Sequence, residues 1–592
     1  MTRNDPHTNT DLPSRLQDIP VDETVCLEGN NKQALETGRN RLLVTGVMFM
    51  IAFISIAVRL IDLTAFGPGG EPRIAHAIPS SAVAAGRADI VDRNGIILAT
   101  SLPTASLYAD PKDVMDPDEA ADKLARVFPE INRNELLLKL KSRSRFVWIS
   151  RNLTPKQQYA VNRLGIPGVS FQRGEQRVYP HGREAAHILG LTDVDGTGIA
   201  GVEKYFASTL NKSEEQLELS IDLRIQTMLR QELTASMIEF KAIGAAGVVL
   251  DVDTGEIISM VSLPDFDPNI PGSMRGTVGF NRSTKGVYEM GSTFKLFNTA
   301  MALDSGVVSI DDAYDASEPI RISRFTITDY HGKNRWLSVP EILVYSSNIG
   351  SAKMAMDVGS KAQKFYLDQL GLLHQSAVEL PEIGQPQYPA RWGDISTMTI
   401  SYGHGVSVSP LQVADGVASL VNGGLRMPVT LLKHHGSTRP SGTRVLSEQT
   451  SKQMRALMRL VVTNGSGKQA AAKGYFVGGK TGTAEKQVNG RYAEKSLISS
   501  FVGAFPVDKP RFVILAMLDE PKGNKKTFNY ATGGWVAAPV VSRMVSRIAA
   551  LLGILPREGE IPGGVEMKTG KPRLASLEFS PAVAGGQNLA TF

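Results

Sequence analysis

Cysteine is nearly absent. The chain has 592 residues and one Cys, Cys26, which precedes an apolar segment. That excludes intramolecular disulfides and cysteine-based metal sites, and it suits an oxidising compartment without requiring one. Strong charge of one sign is also missing. A net charge of +5 over this length is no argument for nucleic acid, and it fits work beside an anionic membrane or wall polymer. Histidine is sparse, and His331, His374 and His404 fit no known triad order with an Asp partner. His181 and His187 lie six apart with no cysteine to join them, so packing or hydrogen bonding is the reading for both, not metal ligation. The glycines of Gly196-Thr-Gly-Ile-Ala-Gly201 lack the strand–helix context of a phosphate loop, which excludes a nucleotide site there.

Long hydrophobic runs are lacking except at one place. Leu42 to Val58 is continuously apolar or small, extendable through Leu60, Ile61 and Leu63 past Arg59. This is the short end of a membrane span. A secretory signal would be shorter, nearer the N-terminus, and would end at a small-residue cleavage site. Lys32, Arg39 and Arg41 before the run favour a cytoplasmic tail, with Arg59 as a mild contrary signal. The expected organisation is a mostly disordered cytoplasmic tail (1–40), a transmembrane anchor (41–63), a first extracytoplasmic domain, called here the pedestal (64–217), a larger second domain (218–555) and a flexible tail (556–592).

In the pedestal, Asn94-Gly95 marks a hairpin between Ile90-Val91 and Ile96–Leu98. Helical spacing over 118–148 and strands near Phe146–Ser150 and Val169–Tyr179 complete the reading. Further on, Ser220 or Asp222 caps a helix. Ala246–Val261 is a hairpin in which Asp251 and Asp253 serve the turn. Residues 296–420 read as mainly helical. Strands return at Tyr475–Thr483, Leu497–Phe505 and Arg511–Leu518, before a helix at about 536–553. The fold class expected is α+β (an α/β composition), a central antiparallel sheet flanked by helices.

What the chain does have is a serine and a lysine three residues apart, in Tyr288-Glu-Met-Gly-Ser-Thr-Phe-Lys295. On a helix, positions i and i+3 share a face, so the Lys295 nitrogen can reach the Ser292 hydroxyl. Gly291 lets the chain enter that helix tightly, and Ser292 is expected in its first turn, where its N–H has no intrahelical partner. One such pair is usually a surface accident. Tyr345-Ser-Ser-Asn348 and Gly478-Gly-Lys-Thr-Gly-Thr483 follow it, about 50 and then about 130 residues on. Serine-x-x-lysine, serine-x-asparagine and lysine-threonine-glycine in this order form the signature of penicillin-binding proteins and class A β-lactamases.

A serine hydroxyl needs a base to become a nucleophile. Lys295 can be that base if Lys480 depresses its pKa by like-charge repulsion. Asn348 is expected to hold Lys295, and Ser346 to pass a proton to the departing amine. Lys480, Thr481 and Thr483 suit a terminal carboxylate on a peptide lying antiparallel to their strand. Gly482 is expected to leave room for the substrate backbone. The N–H groups of Ser292 and Thr483 would form the oxyanion hole.

With these motifs the sequence resembles the class B penicillin-binding proteins, and division enzymes more than elongation ones, over roughly residues 40–555. Arg87-Ala-Asp-Ile-Val-Asp-Arg-Asn-Gly95, Arg177-Val-Tyr-Pro180, Gly198-Ile-Ala-Gly-Val-Glu203, Ser401-Tyr-Gly-His-Gly405 and Ser409-Pro-Leu-Gln412 carry the rest of the likeness. Ala88, Met290 and His404 depart from the usual glycine, proline and aromatic. The resemblance implies a D,D-transpeptidase cross-linking peptidoglycan stem peptides in septal wall synthesis at the inner membrane. It implies β-lactam sensitivity, no metal or organic cofactor, and a SEDS-family membrane glycosyltransferase and other division proteins as partners. The alternative is a D,D-carboxypeptidase or β-lactamase-type hydrolase, which would need a deacylating base. Glu379 and Glu382, flanking Pro381, read as a solvated turn instead. A β-lactam sensor would need further membrane spans and an effector module that the chain does not show.

Overall fold

A computed structural model describes residues 27–61, 86–213, 215–270, 272–322, 325–436, 440–488, 491–557 and 571–572. The chain forms two units, 1–81 and 82–592. The first contains helix α1, Leu27–Ile61. Arg41–Val58 within it is long and apolar enough to cross a membrane, and its large apolar side chains are exposed. Helix thus begins inside the stretch expected to be a disordered tail. Residues 27–40 contain no proline, and a helix nucleated in the apolar run propagates into them at little cost. Residues 1–26, the last two residues of the expected anchor and residues 64–85 of the expected pedestal lie outside the described residues.

In the second unit, strands β1 (Ile90–Val91) and β2 (Ile97–Ala109) form the expected hairpin. The Asp92 carboxylate accepts the N–H groups of Asn94 and Ile96 across the turn. Helices α2 (Pro117–Val127) and α3 (Arg133–Leu140) follow. They bury Leu124, Phe128, Leu136 and Leu140 against Leu107, Ile149 and Leu153. These last three come from β2 and from β3 (Val147–Leu153). Strand β4 (Val169–Val178) pairs with β2, and β5 (Leu217–Glu218) pairs parallel with β1. Glu203, fully buried, joins three segments distant in sequence. Its carboxylate pairs with Arg87 and, at 2.7 Å, with Arg177, and Tyr179 donates to it. His187 is buried against Phe266 with Nε2 3.3 Å from the Pro264 carbonyl, a packed role as expected.

Asp222 caps helix α4 (Leu223–Glu239), settling the choice between Ser220 and Asp222. Strands β6 (Gly244–Asp251) and β7 (Ile257–Leu263) form the next hairpin, and Asp251 accepts the N–H groups of Asp253 and Thr254. The helical block contains α5 (Phe294–Asp304), α6 (Val339–Tyr345), α7 (Asn348–Val358), α8 (Pro410–Val421) and α9 (Glu448–Asn464). Short strands at Asp312–Asp315, Ile320–Ile322, Phe325–Ile327 and Trp336–Ser338 interrupt it. Strands β8 (Gly478–Val488), β9 (Arg491–Phe505) and β10 (Phe512–Asp519) and helix α10 (Ala538–Leu551) end the domain. Of the expected flexible tail, Lys571–Pro572 pairs with Asp312–Ala313; residues 558–570 and 573–592 lie outside the described residues.

The large sheet has the order β8-β9-β10-β6-β7, antiparallel at every step. Its strands alternate strictly. Phe512, Ile514, Ala516 and Leu518 of β10 pack with residues of α4 and α10, while Val513, Leu515 and Met517 pack with those of α5, α8 and α9. Period-two side-chain alternation puts one layer of helices on each face. Burying each such side chain is worth about 1.5–3 kcal/mol. The sheet is therefore a rigid plate, and β8, at its edge, presents its open side to the nucleophile.

Candidate active site

Ser292 sits in a 3₁₀ turn, Gly291–Thr293, that runs into α5, just before the α-helix that was expected to hold it. Gly291 has φ +54, a left-handed backbone. A Cβ there would lie 2.5 Å from the Thr483 carbonyl oxygen and 3.3 Å from the Thr483 nitrogen. Only glycine lets the nucleophile turn and β8 stand back to back this closely. Gly482 serves the same contact from the other side. A Cβ on it would meet the Met290 carbonyl at 2.5 Å and Ser500 Oγ at 2.4 Å. Its small size accommodates the enzyme's own nucleophile turn, a contact between elements that the sequence alone does not announce.

Lys295 is buried on the first turn of α5. Its Nζ lies 3.0 Å from Ser292 Oγ, 3.0 Å from Ser346 Oγ, 2.7 Å from the Ser346 carbonyl and 2.7 Å from Asn348 Oδ1. Burial, then repulsion from Lys480, hold its pKa well below the usual lysine range, with Asp329 opposing. A neutral amine has two N–H donors and one lone pair. The two shortest contacts are to pure acceptors, the Ser346 carbonyl and the Asn348 amide oxygen, and they take both donors. The lone pair is left to accept from a hydroxyl, and Ser292 is in reach.

Ser346 occupies the turn between α6 and α7 with φ +59. Its hydroxyl also receives a hydrogen bond from Lys480 Nζ at 3.0 Å. Lys480 is fully buried, which lowers its pKa to about 7. Its Nζ also donates to the Thr481 carbonyl. Thr481 Oγ1 pairs with Ser466 Oγ at 2.8 Å, and Thr483 Oγ1 accepts the Gly533 N–H at 3.1 Å. Ser292, Lys295, Ser346, Asn348, Lys480 and Thr481 therefore belong to one hydrogen-bonded network, with Ser292–Lys295–Ser346–Lys480 as its spine. Thr483, three residues along the same strand from Lys480, bonds instead to Gly533.

Several neighbours had escaped the sequence. Asp329 accepts from Ser347 Oγ at 2.7 Å, from the Asn348 N–H at 2.6 Å and from the Ile349 N–H at 3.0 Å. It fixes the start of α7 and with it Asn348. Glu289 accepts the Gly405 N–H at 2.8 Å, tying the 401–405 loop to the nucleophile turn. His404, one-third exposed, stands 3.9 Å from the Glu289 carboxylate and 5.3 Å from the Tyr402 ring. Burial, then the Lys295 charge, lower its pKa to about 4, so it is neutral at neutral pH. No spacing rule links 329 or 466 to the motifs, because each comes from a loop on a different element.

Glu379 and Glu382 are half-buried, not solvated. Glu379 accepts from Thr430 Oγ1 and the Leu431 N–H, and Glu382 from the Gly201 N–H. Backbone donors lacking other partners draw the carboxylates inward. His374 pairs with Asp368 on the surface, and the His331 ring lies against that of Tyr330, tilted by 60°. Among the described residues, no cluster of three His, Cys, Asp or Glu could hold a metal.

Residues 245–546 match the family model of the penicillin-binding protein transpeptidase domain, and residues 82–222 that of the penicillin-binding protein dimerisation domain. The chain is 41% identical over 481 residues to a probable peptidoglycan D,D-transpeptidase, FtsI, of Caulobacter vibrioides, spanning 79% of this chain and 82% of that protein. The crystal structure of a peptidoglycan synthetase from Bifidobacterium adolescentis superposes with a TM-score of 0.64 over 81% of this chain and 97% of that one, at 22% identity, a likeness of fold. The apo transpeptidase domain of Burkholderia pseudomallei penicillin-binding protein 3 is 33% identical, with a TM-score of 0.52, covering 58% of this chain and 98% of that one.

Proposed function

The chain belongs to the class B penicillin-binding proteins, and from that premise we propose the route by which its residues work. It is a serine-type peptidoglycan D,D-transpeptidase. The observation that supports the residue roles is Lys295 Nζ, held by two obligate acceptors with its lone pair available to the Ser292 hydroxyl 3.0 Å away.

Ser292 Oγ attacks the carbonyl carbon of the penultimate D-alanine of a stem pentapeptide, and Lys295 takes the hydroxyl proton. The Ser292 and Thr483 N–H groups receive the oxyanion. Lys480, Thr481 and Thr483 hold the terminal carboxylate. As the tetrahedral intermediate collapses, the C–N bond breaks and Ser346 passes a proton to the leaving amine of the terminal D-alanine, reclaiming one from Lys295. The side-chain amine of a neighbouring stem, meso-diaminopimelate, then attacks the ester. Its proton returns through Lys295 to Ser292, and a cross-link forms. β-Lactams acylate the same oxygen.

The membrane reading is a single pass through the inner membrane with the catalytic domain in the periplasm and residues 1–40 in the cytoplasm. The domain limits at 41–63, 64–217, 218–555 and 556–592 are kept as part of the proposal. So are septal wall synthesis with a SEDS-family glycosyltransferase and other division proteins as partners. For the hydrolase alternative, Glu379 and Glu382 are poor candidates for a deacylating base, because backbone and Thr430 donors occupy them.

The test is mass spectrometry of the penicillin adduct, with the modified peptide mapped in the wild type and in Ser292→Ala. The adduct is expected on Ser292 and absent from the variant. A variant that still labels removes Ser292 from the nucleophile role.

A further inference from the structure

A cavity of about 420 Å³ lies at the end of the large sheet where β8 begins. Its size is that of a small-molecule site. None of its lining residues takes part in the acyl transfer proposed above. Three segments build most of it: the approach to β8 at 474–476, the turn between β9 and β10, and the chain at 554–557 that follows α10. Hydrogen bonds fix these segments to one another. The Val507 N–H donates to the Phe476 carbonyl and the Arg557 N–H to the Gly474 carbonyl, both at 2.8 Å. The Tyr475 hydroxyl donates to the Ile554 carbonyl at 3.3 Å. Helix α9 holds the frame from beside it: Arg459 donates to the Val477 carbonyl at 3.0 Å and Arg455 to the Asp508 carbonyl at 3.2 Å.

The walls divide by chemistry. Tyr475, Phe476, Pro506, Ile554 and Leu555 make an apolar part. Leu555 is 79% exposed, an apolar side chain that packing within the described residues does not cover. The charged part sets Lys509, Arg511 and Arg557 against Asp253 and Asp508, one net positive charge. Asp508 is already engaged: its Oδ2 meets Arg557 at 3.1 Å, and its Oδ1 is buried. Lys509 and Arg511 are exposed, and no described carboxylate pairs with either. A single carboxylate balances that charge, whereas an ammonium would add to it.

We propose that this cavity binds an apolar carboxylate, with a bulky hydrocarbon or aromatic group against Tyr475 and Phe476 and its one carboxylate met by Lys509 and Arg511. The guanidinium fork suits two carboxylate oxygens, and the apolar walls gain by covering the rest. Two sources supply this chemistry: the carboxyl end of a peptide whose last side chain is bulky, and a free fatty acid.

The probes are acetyl-leucyl-phenylalanine, its carboxamide, and decanoate, titrated onto the full chain in detergent and followed by calorimetry. The wild type is expected to bind the acids, and the carboxamide at least about tenfold more weakly than the dipeptide acid. Tighter binding of the dipeptide assigns the site to peptide ends; tighter binding of decanoate assigns it to fatty acids. Lys509→Ala/Arg511→Ala is expected to lose about tenfold for the acids and nothing for the carboxamide. Lys112→Ala/Arg143→Ala removes the same charge from exposed positions of the pedestal and is expected to bind as the wild type does. Partition of decanoate into detergent is common to all three proteins and drops out of their comparison. Acids that do not bind, a carboxamide that binds as the dipeptide acid does, or equal losses in the two double variants overturn the proposal. Labelling of Ser292 by fluorescent penicillin, expected unchanged in both variants, reports that they are folded. Were one misfolded, the wild-type contrast between acid and carboxamide still decides.

Discussion

Gly291→Ala is the substitution whose outcome the geometry determines most closely. Two costs arise. The first is the left-handed backbone, about 1–2 kcal/mol for a residue with a Cβ. The second is the approach of that Cβ to the Thr483 carbonyl at 2.5 Å. An ordinary carbon–oxygen contact is about 3.3 Å, so the nucleophile turn and β8 must part by roughly 0.8 Å. The two proposed oxyanion donors sit on opposite sides of that seam, so one hydrogen bond to the developing charge is lost or badly stretched. Removal of one such donor costs about 2.7–4 kcal/mol, or 10²–10³ in rate. The second-order constant for acylation by a fluorescent penicillin, measured by stopped flow, is expected to fall by that factor. Gly306→Ala separates the two costs. Gly306 has φ +70 but nothing within 4 Å of a Cβ. It should lower the melting temperature by a few degrees and leave acylation alone. Acylation of Gly291→Ala within threefold of wild type would mean that Ser292 and Thr483 do not act as a donor pair.

Acylation by a carboxylate-bearing penicillin should decline as pH rises through about 7, where Lys480 loses its proton, and Lys480→Ala should flatten that limb at a low rate. Both buried lysines titrate lower folded than unfolded, so between about 7 and about 10.4 the unfolded chain binds more protons and stability climbs with pH; melts of wild type and Lys480→Met at the two ends of that range check it, the variant showing the shallower slope. Asp329→Ala frees the Asn348 and Ile349 N–H groups and should cost about 1–2 kcal/mol, with slower acylation as Asn348 loosens its hold on Lys295. Acylation at the wild-type rate would make Asp329 a helix cap only. Glu203→Ala leaves Arg87 and Arg177 buried without their carboxylate and should cost about 3–5 kcal/mol, seen as an earlier first melting transition while Ser292 still labels.

The catalytic groups were legible because their spacing is local. Ser292 and Lys295 are one turn apart, Ser346 and Asn348 share one turn, and Lys480 to Thr483 are one strand. The strands of the large sheet were legible for the same reason, since alternation and hairpin turns are written into a few consecutive residues. What the sequence could not supply is contact across elements. At Gly482 nothing local says that the Met290 carbonyl lies against it. Glu379 and Glu382 looked solvated beside Pro381, since their partners at 430, 431 and 201 are remote in sequence. Asp329 had no signature at all. The division follows from how the pKa values are set. A motif places an amine beside a hydroxyl, but the amine is a base only if it is dry and crowded by a second cation. Lys295 becomes dry because α5, α6 and α7 close over it, and crowded because the sheet carries Lys480 to the far side of Ser346. The chemistry of Ser292 is therefore a property of the packed layers, and the signature residues are the part of it that happens to be short-range.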